Sequence, residues 1–75
     1  MMEVDAGHGG GQLLRTALSI SALSGKPLSI RNIRQNRPKP GLAAQHLACV
    51  NALAKITNAK TKGASLGATS LLFEP

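Results

Sequence analysis

Residues 12–34 read QLLRTALSISALSGKPLSIRNIR, which places a helix signal, a stop signal and a strand signal in succession. Apolar and small residues recur at spacings of three and four and predict a helix over about 12–24. The expected buried stripe is Leu14, Ala17, Leu18 and Ser21, with Leu13, Ile20 and Leu23 widening the apolar face. Gly25 suits a left-handed cap and Pro27 cannot continue a helix, so the helix is expected to end before them.

The strand signal covers residues 28–34. Leu28 and Ile30 should point to one face of a sheet, and Ser29, Arg31 and Ile33 to the other. The alternation fails at Asn32, so the last residues of this stretch are expected to bulge or to leave the sheet.

Elements on either side of this stretch complete the pattern. A short strand is predicted over 3–6 and a glycine-rich turn over 7–11, before the helix. A loop over 34–41 leads to a second helix over about 42–57, with Asn58 as its C-cap. Its expected stripe is Leu42, His46, Cys49, Leu53 and Ile56, flanked by Leu47, Val50 and Ala54. Strands are predicted over 60–62 and 69–73.

The order β-α-β-α-β-β predicts an α/β fold, with a mainly parallel or mixed sheet and helices packed on it as a two-layer sandwich. The 75 residues form a single domain over 1–75. A core of this size gives marginal stability, and Phe73 is its only aromatic residue. The single cysteine, Cys49, forms no internal disulfide, and no zinc site is evident. A partner chain or a further part of the same protein is therefore expected to add stability.

The charge is unevenly distributed. Nine Lys and Arg residues face three acidic residues, Glu3, Asp5 and Glu74, and five of the nine cations lie within residues 26–39. Such a distribution favours a polyanionic partner, and the alternative is a basic surface that only maintains solubility. The sequence shows neither a signal peptide nor a membrane span, and a lone cysteine suits a reducing compartment, so we expect a cytoplasmic protein without membrane contact.

The first candidate site is Gly9, Gly10, Gly11 and Gln12, which open the first helix. Glycines at this position let the backbone approach a ligand, and the N–H groups of a helix start attract phosphate. Arg15 follows in the first turn, where a cation is unfavourable for the helix dipole, and this suggests a nearby anion. The alternative is a tight strand-to-helix connection and an ordinary exposed arginine.

The second candidate site is the loop that begins at Arg34 and includes Arg37 and Lys39. Pro38 and Pro40 stiffen this loop, which suits a fixed phosphate site. No aromatic residues lie among the cations, so stacking of bases on aromatic rings is not expected there. We expect Arg34→Ala or Arg37→Ala to weaken RNA binding without unfolding the chain.

The third candidate is Gln45 with His46, at the start of the second helix. His46 lies on the apolar stripe beside the basic loop, so a general-acid role and a packing role are both open. His8 is expected to be exposed in the glycine turn, and Cys49 to belong to the core.

Four runs of residues resemble the opening of the RNA 3′-terminal phosphate cyclase family. They are residues 9–15 (GGGQLLR), 30–34 (IRNIR), 37–42 (RPKPGL) and 45–47 (QHL). Residues 63–69 and 73–75 resemble the next segment of that family. The resemblance covers nearly the whole chain, with its motifs in the expected order.

The resemblance implies a fold built from β-α-β-α-β-β repeats, of which this chain is the N-terminal one. It also implies an enzyme that uses ATP and a divalent metal to convert an RNA 3′-phosphate end to a 2′,3′-cyclic phosphate, through an adenylylated histidine. By resemblance, Arg15, Arg34, Arg37, Gln45 and His46 match active-site positions, and residues 9–12 would contact the nucleotide cofactor.

The chain departs from the family at two points. His8 stands where the family has a glutamate that helps to hold the metal, which puts the metal site in doubt. The nucleophilic histidine of the family lies far downstream of the region that this chain matches. We therefore expect an incomplete N-terminal portion that does not form the adenylylated intermediate alone. The alternatives are a non-catalytic RNA-binding relative of the kind used in ribosome assembly, and a repeat that assembles with copies of itself.

Overall fold

A computed structural model describes residues 1–7 and 11–75 of the chain. Two helices and four strands follow the predicted order β-α-β-α-β-β. They are β1 (Met2–Asp5), α1 (Gly11–Ser24), β2 (Leu28–Arg31), α2 (Ala44–Thr57), β3 (Lys60–Lys62) and β4 (Leu71–Glu74). The expected α/β class is therefore confirmed. In this part of the chain no helix is both long enough and apolar enough to cross a membrane.

The four strands form one mixed sheet in the order β1-β2-β4-β3. β1 and β2 are parallel, and Val4 lies opposite Ile30. β4 runs antiparallel to both of its neighbours, with Phe73 opposite Leu28 in β2 and opposite Thr61 in β3. The last strand of the described chain thus fills a central position in the sheet.

The core lies between one face of this sheet and the helices. Side chains alternate along β2 and β4, so that Leu28, Ile30, Leu71 and Phe73 are buried while Arg31 and Glu74 are exposed. From the helices come Leu14, Ala17, Leu18 and Val50. Each fully buried large apolar side chain contributes about 1.5–3 kcal/mol to folding. The two helices form the second layer of the sandwich, and burial of these apolar side chains holds them to one face of the sheet.

Helix α1 confirms its predicted stripe, because Leu14, Ala17, Leu18 and Ser21 are its buried residues. The three residues that widen its apolar face lie outside the buried stripe. Leu13, Ile20 and Leu23 are 36%, 50% and 89% exposed. A two-layer unit with one neighbouring helix covers only a narrow stripe of α1, so these three side chains remain outside it.

Helix α2 begins at Ala44, two residues later than predicted. Leu42 is buried before the helix starts, and its backbone pairs with the 67–68 segment instead of entering the first turn. His46 and Val50 are buried. Ile56, the last residue of the expected stripe, is 80% exposed and lies outside the core. The helix ends at Thr57, and Asn58 follows as the predicted C-cap with a left-handed φ of 58°.

Strand β2 ends at Arg31, so the expectation that its last residues leave the sheet is confirmed. Asn32 and Arg34 take left-handed φ values of 58° and 52°. These two turns rotate Ile33 into the core, where it is 1% exposed, and not onto the face of Ser29 as predicted. The strand expected over 69–73 is observed as Leu71–Glu74.

Candidate anion-binding site

The loop that follows β2 is fixed by backbone hydrogen bonds. Ile33 N donates to Thr69 O and Gly41 N donates to Ile33 O, both at 2.9 Å. Leu42 then exchanges two bonds with the facing turn, donating to Ala68 O and accepting from Gly67 N, each at 2.9 Å. The cationic loop predicted over 34–41 is therefore anchored at both ends to the 67–69 segment.

Arg34 lies inside this anchored loop and is half-buried. Its Nη1 donates to Gly41 O at 3.0 Å, which bridges the two ends of the loop. A guanidinium has five N–H donors, so this bond leaves further donors for an anion. Arg37 N donates to Arg34 O at 3.0 Å, while the Arg37 side chain is exposed. Arg34 therefore has a fixed position inside the loop, and the Arg37 side chain lies on the exposed outside of the same loop.

The same loop is tied to the turn that follows β1. Asn36 Nδ2 donates to Gly7 O at 3.2 Å. Asp5 Oδ1 accepts from Gly7 N at 2.9 Å and from Asn32 Nδ2 at 3.2 Å. These bonds hold residues 5–7 and 32–36 together. The segments that follow β1 and β2 therefore lie side by side.

His46 connects the start of α2 with the start of α1. Its side chain is 5% exposed, and Nδ1 accepts the backbone N–H of Ala43 at 3.3 Å. With Nδ1 as acceptor, the neutral imidazole carries its proton on Nε2. A methyl group on Gly11 would overlap that Nε2 atom, so the imidazole lies directly against the first residue of α1. Gly11 is thus required at this helix start for close approach.

The pKa of His46 is lowered from its ordinary value of 6.5. Burial is the largest cause, followed by the positive charges of Arg34 and then of Arg15. His46 is therefore neutral at pH 7. Because Arg34 belongs to the loop and Arg15 to α1, two guanidinium groups from separate elements act on one imidazole.

Arg15 is exposed on the first turns of α1. Its Nη2 donates to Gln12 Oε1 at 3.3 Å, and Gln12 Nε2 lies 3.5 Å from Thr16 Oγ1. These bonds link Gln12 to Arg15 on the same side of the helix. The arginine that is unfavourable for the helix dipole is therefore held by a neutral amide, which leaves its charge available to a ligand.

The structure brings together five of the residues proposed from the sequence. They are Gly11, Gln12, Arg15, Arg34 and His46. Gln45 and Arg37 are exposed next to them, whereas Gly9, Gly10 and His8 lie outside the described residues. Sequence reasoning missed Asn36 and Ala43, whose contacts depend on backbone turns that leave no periodic signal.

The described residues do not supply a metal site. Among residues 1–7 and 11–75, no three side chains of His, Cys, Asp or Glu come together in a group that could hold a metal ion. The cluster contains cations and a neutral imidazole, which suit an anion and not a divalent cation. Its chemistry agrees with a phosphate ligand.

One family profile and three curated relatives of this chain carry the same description. The family profile described as RNA 3′-terminal phosphate cyclase matches residues 6–75. Proteins of that name from Sulfurisphaera tokodaii, Sulfolobus acidocaldarius and Archaeoglobus fulgidus are 58%, 56% and 53% identical to it, each over the whole chain. The chain spans 23%, 23% and 24% of the lengths of these curated relatives. On this similarity, the chain belongs to the RNA 3′-terminal phosphate cyclase family.

Proposed function

We propose that this chain is one unit of an enzyme that cyclises the 3′-phosphate end of RNA, and that it supplies the surface that binds the terminal phosphate. The observation that carries the proposal is the contact between the buried His46 imidazole and Gly11 at the start of α1, near enough to Arg34 and Arg15 for both charges to lower the pKa of His46. Two guanidinium groups fixed by separate elements match the charge of a terminal phosphate.

Each residue has a role that follows from its position. Arg34, fixed by its bond to Gly41 O, would hold one phosphate oxygen. Arg15 would approach from α1. His46 would donate a hydrogen bond from the neutral Nε2–H, because its pKa is lowered and Nδ1 is already an acceptor.

ATP, when bound, would supply the activation that cyclisation of a phosphate requires. The start of α1 at Gly11 and Gln12 would contribute backbone N–H groups to a phosphate of either ligand.

A binding experiment tests the phosphate site directly. The 75-residue chain is titrated into two fluorescent RNA oligonucleotides of one sequence, one ending in a 3′-phosphate and the other in a 3′-hydroxyl, and anisotropy is recorded at fixed salt. We expect tighter binding of the phosphate end. Arg15→Gln should reduce that preference by about tenfold, the effect of one charge-assisted hydrogen bond.

Lys55→Gln is the matched control, because Lys55 is an exposed cation in the last turn of α2, away from the site. It should lower the affinity for both oligonucleotides equally. Equal affinity of the unmodified chain for the two RNA ends would overturn the proposed function. The same conclusion would follow if Arg15→Gln and Lys55→Gln had identical effects.

A further inference from the structure

Asp5 lies where two neighbouring strands of the sheet end side by side. It is the last residue of β1, and in the parallel register of β1 and β2 it stands opposite Arg31, the last residue of β2. In open α/β sheets, ligands commonly bind outside the carboxyl ends of adjacent parallel strands. Asp5 therefore stands at the base of both segments that lead into the anion-binding site.

One oxygen atom of Asp5 joins these two segments. Oδ1 accepts the backbone N–H of Gly7 at 2.9 Å and the side-chain amide of Asn32 at 3.2 Å. The first bond closes a tight turn after β1, as aspartate side chains commonly do two residues along the chain. The second bond reaches a residue with a left-handed φ of 58°, and a charged acceptor makes it stronger than a bond between neutral groups. Asp5 thus stabilises both turns with a single atom.

The turn at Asn32 determines where Arg34 lies. Two residues after it, Arg34 also has a left-handed φ, 52°, and donates from Nη1 to Gly41 O at 3.0 Å. A change in the Asn32 backbone would move Ile33 out of its buried position and turn the Arg34 guanidinium away from that carbonyl. The bond between Asp5 and Asn32 therefore acts on Arg34 through the backbone.

A second set of contacts keeps the same two segments together. Asn36 Nδ2 donates to Gly7 O at 3.2 Å, and a methyl group on Gly7 would lie 2.6 Å from Gln35 Nε2. The N–H of Gly7 is bonded to Asp5 and its carbonyl to Asn36. The turn after β1 and the cationic loop are therefore packed as one unit, with Asp5 at the point where they meet.

The charge of Asp5 does not explain its place beside an anion-binding site. A carboxylate repels a phosphate, and Asp5 is one of only three acidic residues in a chain of net charge +6. Its ion pair with Arg31 spans 3.9 Å between side chains that are 52% and 63% exposed, and exposed pairs contribute little. What Asp5 provides to the site is the position of its acceptor atom.

We propose that Asp5 is a positioning residue for the anion-binding site. Its Oδ1 holds the turns at Gly7 and Asn32 in the arrangement that presents Arg34 to a phosphate, and Asp5 itself does not touch the ligand. The inference rests on the proposed function, because the phosphate that Arg34 would hold is the RNA end proposed above.

The test compares Asp5→Ala with Asp5→Asn in the 75-residue chain, using the two RNA oligonucleotides that end in a 3′-phosphate or a 3′-hydroxyl. The quantity measured is the ratio of the two affinities. Asp5→Ala removes the acceptor and should lower this ratio about three- to tenfold, the range of one hydrogen bond. Asp5→Asn retains an oxygen acceptor and should keep the ratio within about twofold of that of the unmodified chain.

Glu3→Ala is the matched control, because Glu3 is an exposed acidic residue on the same strand, two residues before Asp5. Loss of the negative charge in Glu3→Ala or Asp5→Asn should raise the affinity for both RNA ends, since RNA is a polyanion. Neither variant should change the ratio. A fall in the ratio that is as large in Asp5→Asn as in Asp5→Ala would overturn the role of the acceptor atom.

Asn32→Gly removes the same bond from its other end, and it replaces Asp5→Ala as the test if that variant does not fold. Glycine adopts a φ of 58° without strain and lacks the amide that donates to Asp5. Asn32→Gly should lower the ratio by a similar factor, about three- to tenfold. Unchanged ratios in the variants that thermal unfolding shows to be folded would overturn the inference.

Hydrogen exchange separates this inference from the proposed function. Asp5→Ala should speed the exchange of the Gly41 N–H, bonded to Ile33 O, and leave unchanged that of the Ala59 N–H, bonded to Ala54 O. If the unmodified chain does not distinguish the two RNA ends, the proposed function is wrong, and faster exchange at Gly41 still supports the positioning of the loop by Asp5. If it does distinguish them and exchange at Gly41 is unaffected, only the role of Asp5 is wrong.

Discussion

His46 accepts the backbone N–H of Ala43 on Nδ1 at 3.3 Å and so completes the start of its own helix, a task that the Ala43 side chain cannot perform. The bond requires an unprotonated Nδ1. Protonation of His46 would therefore remove the cap and place a third positive charge beside Arg34 and Arg15. Protonation of His46 therefore changes both the stability of α2 and the charge of the anion-binding site.

Stability is expected to fall as the pH is lowered. The pKa of His46 is below 6.5 in the folded chain, so the unfolded chain binds more protons between that lowered pKa and 6.5. The stabilisation is complete above pH 6.5 and is lost as the pH falls through the folded pKa. Urea unfolding at pH 7.5 and pH 5 should show this loss.

His46→Gln is the control, because glutamine can accept the Ala43 N–H at this position of the helix and does not titrate. Its free energy of unfolding should change less between the two pH values. His8 is present in both chains, so the comparison isolates His46. Parallel pH profiles for the two chains would contradict the assigned role of His46.

Gly11→Ala should destabilise the chain by about 1–3 kcal/mol, because the added methyl group overlaps His46 Nε2. Without that overlap, alanine in a helix would instead stabilise by up to about 1 kcal/mol. The double variant Gly11→Ala/His46→Ala tests the cause by chemical denaturation. In the His46→Ala background, alanine at position 11 should change the free energy of unfolding little. An undiminished loss of stability would exclude the contact with His46 as its cause.

Gly41→Ala should destabilise the chain more than Gly67→Ala. Both glycines have left-handed φ values, 89° and 78°, so both substitutions cost about 1–2 kcal/mol of backbone strain. A methyl group at Gly41 also meets the backbone oxygen of Gly67, whose N–H is bonded to Leu42 O, whereas a methyl group at Gly67 meets no atom within 4 Å. Urea unfolding should separate the two variants by at least about 1 kcal/mol. Equal losses of unfolding free energy would show that the loop backbone shifts to accommodate the methyl group at Gly41.

Arg37→Ala should weaken RNA binding with little change in stability, because the Arg37 side chain is exposed. Arg34→Ala should weaken binding and also cost about 0.5–1.5 kcal/mol, since it removes the bond to Gly41 O. Each lost phosphate contact lowers the salt dependence of single-strand binding by about 0.7 in the log–log slope. Binding at several salt concentrations and thermal unfolding check both effects. If Arg37→Ala has the same slope of log affinity against log salt concentration as the unmodified chain, Arg37 does not contact a phosphate of the RNA.

The regular elements were predictable from the sequence because each carries its own local signal. The 12–24 stretch has helical periodicity and a Gly–Pro stop, and the structure has α1 at Gly11–Ser24. β3 matches its predicted range of 60–62. The width of the buried face was not predictable, because the exposure of Ile20 and Leu23 depends on how far the neighbouring layer extends.

The candidate site was predictable as a set of residue types but not as a geometry. The cations and His46 were visible as a cluster along the chain. The left-handed turns at Asn32 and Arg34, which direct Ile33 into the core and Arg34 toward Gly41, follow from tertiary hydrogen bonds to residues 67–69. Such bonds join positions 25 to 36 residues apart and leave no local pattern.

The strand order β1-β2-β4-β3 also governs the sequence of folding events. β3 pairs only with β4, and β2 has β4 as its second neighbour, although β4 is made last among the described elements. A nascent chain that has not yet released Leu71–Glu74 from the ribosome has a single strand pair, β1 with β2, and no sheet position for β3. Closing β2 onto β4 spans about forty residues of sequence, a loop whose entropy must be lost before the contacts form. The core of this unit therefore assembles only once β4 is available to pair with β2.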